Sequence, residues 1–259
     1  MKRSLLPGLV LAMVLVFFYA PIAVLVVNSF NVSRFGGTWE GFTTKWYAML
    51  WETDDIWDAL FTSLKIAALA SIAAMILGTL AALALHQFRS RWQRLHLAAI
   101  TVPLVMPDIL MGISLLLFFV ALGVPTGFTT IWIAHVTFCL SYVAMIVLAR
   151  LQDFDFTLVD AARDLGASRW QTARLVLLPL LMPGIIAGGL LAFTLSIDDY
   201  IITFFVQGAG TTTLPLRVYS MIKTSRNMPV INALSSLMLA VTFIAVAISF
   251  RLAKRPLHK

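Results

Sequence analysis

Long apolar runs separated by short polar segments set the pattern of this chain. They predict six membrane-length helices, roughly Leu5–Asn28, Ala59–Leu85, Leu97–Ala121, Thr129–Leu148, Leu175–Val206 and Ile231–Leu252. A helix needs about 20 mostly apolar residues to cross the hydrocarbon core, and lipid offers the backbone no partners, so each run must be helical. The fifth run is too long for a straight crossing. Pro179, Pro183 and Gly184 are expected to separate a loop-associated start from its membrane portion. In the third run, Pro103 and Pro107 are expected to bend the helix and free carbonyls toward a cavity. The apolar run after Met1-Lys2-Arg3 is too long for a secretory signal and lacks a small-residue cleavage site, so it reads as an uncleaved first span.

Between the fourth and fifth runs lies a polar insert patterned as structure. Leu158, Ala161, Ala162 and Leu165 fall at helical spacing and predict a small apolar face, with Asp160, Arg163 and Asp164 on the polar side. Gly166 permits a sharp turn. A second helical run, Trp170 to Leu178, is expected to end at Pro179. Helix, glycine turn and helix make a knob suited to a groove on a partner.

Composition agrees with a polytopic membrane protein. Of 259 residues, 60% are hydrophobic and 12% charged, against about 25% charged in soluble domains; the mean hydropathy is +0.92. The net charge of +7 does not indicate nucleic acid, because the basic residues sit in short loops rather than in a stripe interleaved with aromatics. Thirteen Lys and Arg fall on one side (Lys2, Arg3, Arg89, Arg91, Arg94, Arg150, Arg163, Arg169, Arg174, Arg251, Lys254, Arg255, Lys259) against five on the other (Arg34, Lys45, Arg217, Lys223, Arg226). That bias places both termini and the Asp160–Ser168 knob in the cytoplasm. Cys139 is the single cysteine and the four histidines are scattered, which excludes a disulfide framework and a Cys-based metal site. His135, inside a span, reads as a helix-packing hydrogen bonder.

Three carboxylates fall within spans. Asp108, just after Pro107, would lie ~17 Å along a straight third helix at ~1.5 Å per residue. Asp198 and Asp199 lie in the outer half of the fifth. Facing lipid, the three would cost roughly 8–10 kcal/mol, so they must face water, protein or cargo. A cation path is the favoured reading, and helix pairing or capping is the alternative. Successive helical positions differ by ~100°, so one of the adjacent pair is expected to face the path and the other a neighbouring helix. The first outer loop adds Glu40, Glu52, Asp54, Asp55 and Asp58 beside Trp39, Trp46, Tyr47, Trp51 and Trp57, an electronegative vestibule or a solvated loop with interfacial anchors. The segment from Gln207 to Pro229 has room for a short outer helix around Leu216–Ile222.

The chain contains no G-x-x-x-x-G-K-[ST], H-E-x-x-H or G-x-S-x-G segment. It reads as a pathway subunit and not an enzyme, with energy drawn from a partner or an ion gradient.

The insert, Asp160-Ala161-Ala162-x-Asp164-x-Gly166-Ala167 with Leu178-Pro179 downstream, resembles the EAA loop of importer-type ABC permeases, with Asp160 where Glu is usual. Further segments resemble the spermidine/putrescine permeases of the PotC and PotI type: Asn28-Ser29-Phe30-Asn31, Thr43-Thr44-Lys45-Trp46-Tyr47, Met106-Pro107-Asp108-Ile109, Ala134-His135-Val136-Thr137-Phe138-Cys139 and Phe193-Thr194-Leu195-Ser196-Ile197-Asp198-Asp199. The resemblance implies an all-α integral membrane fold of six transmembrane helices with a cytoplasmic coupling helix, the type I ABC importer transmembrane domain covering 58–252, preceded by the first helix and outer loop (1–57) and followed by a cytoplasmic tail (253–259). It implies polyamine uptake across the bacterial inner membrane, with Trp46, Asp108, Ser196, Asp198 and Asp199 on the substrate path and the Asp160–Ala167 loop as the coupling element. It also implies a second homologous permease chain, an ATPase homodimer that binds ATP and Mg, and a periplasmic polyamine-binding protein, with no cofactor or metal on this chain. Arg169 and Val230 depart from the relatives, which carry acidic residues there.

Overall fold

The computed structural model describes residues 6–34, 37–87, 91–224 and 228–253, with side chains of the last helix described to Ile244. Lys2, Arg3, the Leu5 start of the first span, Arg89, Arg226 and the 254–259 tail lie outside the described residues. The chain forms two compact units, one of residues up to Trp57 with those from Val218 onward, the other Asp58–Arg217.

In chain order the helices are α1 (Leu6–Asn28), α2 (Lys45–Trp51), α3 (Asp54–Gln87), α4 (Gln93–Val105), α5 (Asp108–Ala121), α6 (Phe128–Gln152), α7 (Thr157–Asp164), α8 (Arg169–Thr172), a π-helical turn (Ala173–Leu177), α9 (Leu178–Ile197), α10 (Ile201–Val206), α11 (Leu214–Thr224) and α12 (Met228–Ala253). Among the described residues, four continuous helices are long and apolar enough to cross a membrane: Leu6–Asn28, Asp54–Gln87, Phe128–Gln152 and Arg169–Ile197. The bent pair α4–α5 makes a fifth if it is counted as one span, and the 26-residue α12 occupies the region of the sixth expected run, with an apolar described portion Met228–Ile244. The outer helix expected around Leu216–Ile222 is α11.

The third span bends as expected, and the fifth differs from its expected form. The third is not one helix: α4 and α5 meet at 114°. A residue before proline is pushed out of the helical region; Met106 accordingly sits at ψ 133° and Pro107 at ψ 135°, which ends α4 at Val105. The straight-helix depth of Asp108 therefore does not apply. In the fifth span the expected break at Pro179 and Pro183 is absent, and the helix runs continuously from Arg169 to Ile197. The π turn at 173–177, immediately before Pro179, widens the coil where the proline ring would press on a preceding carbonyl. The chain breaks instead at Asp198–Tyr200.

In the 58–217 unit, α6 is the central helix. Its buried Ile131, Ala134, Phe138, Val143, Val147 and Leu151 recur at helical spacing and meet Leu181, Ile185 and Ala192 of α9. Small residues allow the close approach. A Cβ on Gly188 would lie 3.3 Å from the Val143 backbone, and one on Gly78 of α3 would lie 2.9 Å from Val143 Cβ.

In the other unit, α1 buries none of its side chains. The outer loop is organised by Asn31, whose Nδ2 donates to the Thr38 carbonyl (2.7 Å) and whose Oδ1 accepts from the backbone N–H of Ser33 (3.1 Å) and Glu40 (3.0 Å). Trp51 and Trp57 stack at 4.5 Å.

Candidate functional site

Asp108 opens the first turn of α5, where the helix dipole favours a carboxylate. Helix α5 is held against α10 at Gly112, where an added Cβ would approach the Phe205 ring to 2.6 Å. This packing brings the start of α5 opposite the α9–α10 break. A cavity of about 420 Å³ lies between them. Asp108, Asp198 and Asp199 line it, with Phe138 and Tyr142 of α6, Tyr200 of the break, and Leu195, Ile201 and Ile202. A larger groove of about 590 Å³ between α3 and α9 is lined by aliphatic side chains with Thr79 and Trp170 and holds no charged group. The chemistry therefore points to the smaller one.

The adjacent carboxylates play different parts. Asp198 is exposed. Asp199 caps α10: Oδ2 accepts from the Thr203 N–H (2.8 Å) and hydroxyl (2.7 Å), and Oδ1 from the Ile202 N–H (3.3 Å). Such capping satisfies donors that the break leaves open. His135 reaches the same point from α6, with Nδ1 2.7 Å from Ser196 Oγ, and Nε2 2.9 Å from Thr203 Oγ1 and 3.4 Å from Asp199 Oδ2. Ser196 is buried against His135 and is not among the lining residues.

Trp46 belongs to the other unit. It is 1% exposed. Its indole N–H donates to the Asn31 carbonyl at 2.7 Å, and Lys45 Nζ lies 4.4 Å from its ring centroid. A ring so enclosed presents no face to a solute in this conformation.

The knob has the expected path. Helix α7 ends at Leu165, Gly166 turns at φ +88°, and Ser168 caps α8, its Oγ accepting from Gln171 N–H (3.3 Å) while Gln171 Oε1 accepts from Ser168 N–H (2.8 Å). Its apolar face is mostly left uncovered by this chain. Val159 is the buried anchor, Ala162 and Ala167 are half-buried, and Leu158, Ala161 and Leu165 are exposed, Leu165 by 89%. Asp160 and Asp164 are exposed as well. The tip is thus apolar and ringed by charge. At its root, His86 at the end of α3 stacks on Phe156 (4.8 Å, 7°). Asp155, outside the spans, is held below the usual carboxylate range by hydrogen bonds from Thr157.

A family model described as "Binding-protein-dependent transport system inner membrane component" matches residues 74–258. The chain belongs to this family. It is thus a multi-pass membrane component of a transport system, and its fold is that of ABC importer permeases. It is 41% identical over 254 residues to the spermidine/putrescine transport system permease protein PotC of Escherichia coli (strain K12), covering 98% of this chain and 96% of the relative. To the putrescine transport system permease protein PotI of the same strain it is 47% identical over 246 residues, covering 92% and 87%. Among solved structures, a chain of a bacterial ABC transporter involved in the import of the acidic polysaccharide alginate superposes with a TM-score of 0.75 at 16% identity, covering 100% of this chain and 99% of that one; this likeness concerns the fold alone.

Sequence reasoning had placed Asp108, Asp198 and Asp199 within spans, and the fold gathers them at one cavity. It had not found the aromatic walls. Phe138 and Tyr142 lie four apart on α6, so their shared face was readable, but an aromatic pair in a span reads first as packing. Thr203, the hydroxyl between His135 and Asp199, carried no signal in the sequence.

Proposed function

We propose that this chain is a permease subunit of an ATP-driven ABC importer that moves polyamines, spermidine or putrescine, across the bacterial inner membrane. The observation that carries the reading is the cavity, where carboxylates from two separate helices meet among aromatic and aliphatic walls. A polyamine alternates ammonium groups with methylenes, and this lining offers carboxylates for the first and aromatic and aliphatic side chains for the second. Asp108 and Asp198 take the ammonium groups. The faces of Phe138, Tyr142 and Tyr200 add about 0.5–2 kcal/mol per cation–π contact. Asp199 at the cavity wall and Ser196 behind it serve the path by holding the break, and Trp46 serves by holding the outer loop that receives cargo. Several weak contacts suit passage better than one deep well.

Both termini and the knob lie in the cytoplasm, in keeping with the distribution of Lys and Arg. The knob, Asp160, Ala161, Ala162, Asp164, Gly166 and Ala167, docks on an ATPase homodimer, which binds ATP and Mg. Closure of that pair moves the knob and exchanges the side of the membrane to which the cavity opens. A second homologous permease chain completes the path, and a periplasmic polyamine-binding protein delivers cargo.

The test is uptake of labelled putrescine by the complete complex in proteoliposomes. ATP-dependent uptake with mutual competition between putrescine and spermidine is expected. Uptake that persists without the ATPase marks a cation-coupled transporter instead, and uptake of another solute uncompeted by polyamines rejects the substrate class.

A further inference from the structure

The break between α9 and α10 sets two carboxylates side by side, and a cation path that used both alike would need both free. They are not equivalent. Asp199 is only 10% exposed at its side chain and His135 only 1%, whereas Asp198 is exposed at the cavity. The bonds between Asp199 and His135 are continuous. The Thr203 hydroxyl donates to Asp199 Oδ2 at 2.7 Å. Nε2 of His135 bonds the same Thr203 oxygen at 2.9 Å, and Nδ1 bonds the Ser196 hydroxyl at 2.7 Å. One chain of hydrogen bonds therefore runs from the end of α9 through α6 to the carboxylate that caps α10. It ties both sides of the break to a single side chain on a third helix.

We propose that His135 is the positioning residue that sorts the pair: it fixes Asp199 as the cap of α10 and thereby leaves Asp198 as the carboxylate presented to the cation. The inference rests on the polyamine-path reading above. It gives Ser196 and Asp199 a role through His135 rather than through contact with cargo, and it names Thr203 as the link. A side chain satisfied on both ring nitrogens holds its partners in one geometry. An aliphatic replacement leaves the Ser196 and Thr203 hydroxyls to find other partners and lets the break drift.

The test is a double-mutant cycle on spermidine uptake by the complete complex in proteoliposomes. His135→Leu is expected to raise KM about tenfold with the maximal rate within about twofold. His135→Gln, whose amide N–H reaches the Nε2 position, is expected to recover most of the loss. Added to Asp198→Asn, His135→Leu is expected to change KM no further, because it acts through the placement of that carboxylate. Thr203→Val keeps the shape and removes the link; it is read in the same way and decides the matter if His135→Leu does not assemble. Multiplying effects in the cycle, an unchanged KM in Thr203→Val, or a loss confined to assembly and maximal rate overturns the proposal while leaving the path intact. An Asp198→Asn complex with wild-type KM instead overturns the path reading itself.

Discussion

Replacing Asp198 by asparagine removes a negative charge from the cavity while keeping the shape of the side chain. Two unit charges at 4 Å attract by about 1 kcal/mol in bulk water and about 4 kcal/mol at an effective dielectric constant of 20. Asp198 is exposed, so its contact with an ammonium group belongs toward the lower end, about 1–2 kcal/mol. At 1.4 kcal/mol per factor of ten, KM for spermidine should rise roughly fivefold to thirtyfold. The loss should shrink as salt is added, because exposed charges are screened over about 8–10 Å at physiological ionic strength. ATP-dependent uptake of labelled spermidine at low and high ionic strength, with the intact complex in proteoliposomes, measures both quantities. Asp108→Asn, which removes the facing carboxylate, should behave alike. A KM within twofold of wild type in both variants at low salt would refute the assignment of the cavity to a cation.

Three further substitutions probe the parts that serve the cavity. Gly166→Val should loosen the knob: the position turns at φ +88° with nothing within 4 Å of an added Cβ, so the cost is backbone strain alone, about 1–2 kcal/mol, seen as ATP hydrolysis without matching uptake or as lost ATPase binding. Gly112→Val should press into the Phe205 ring and shift α5 from α10, an overpacking cost of about 1–3 kcal/mol, read as a lower melting temperature and a higher KM together. Trp46→Phe leaves the Asn31 carbonyl without its indole donor, a loss of about 1–3 kcal/mol. Thermal unfolding of the complex should register it while KM stays at the wild-type value, and a raised KM at unchanged stability would place Trp46 on the path instead.

What the sequence made legible was mostly local. Gly166 and the Ser168–Gln171 cap are decided within a few residues of themselves, and the knob follows the expected course. The long apolar helices follow from apolar runs that need no partner to be recognised. The bend after Val105 was foreshadowed by Pro107, because the restriction a proline places on its predecessor acts within one residue. Pro179 misled for the complementary reason: it stands at the start of α9 just after a π turn, a position where proline is tolerated and which cannot be read from the apolar pattern; Pro183 lies inside α9 without breaking it. The true break at Asp198–Tyr200 depends on what Asp199 bonds to and on His135, which stands 61 residues before Ser196 and 68 before Thr203. Pairings at that separation are set by how α6, α9 and α10 pack. Helical spacing on the knob identified an apolar stripe without saying whether this chain or another one covers it; Leu158, Ala161 and Leu165 are exposed.

The central claim is that polyamine cations pass through this chain at the expense of ATP hydrolysed on a partner. Competition uptake in the reconstituted complex tests it most directly: labelled putrescine is offered with ATP, with and without unlabelled spermidine. The account predicts uptake that requires ATP, is suppressed by spermidine, and is weakened when Asp108 and Asp198 are both replaced by asparagine. Uptake that ignores spermidine, or that is unaltered in the doubly substituted complex, would contradict it.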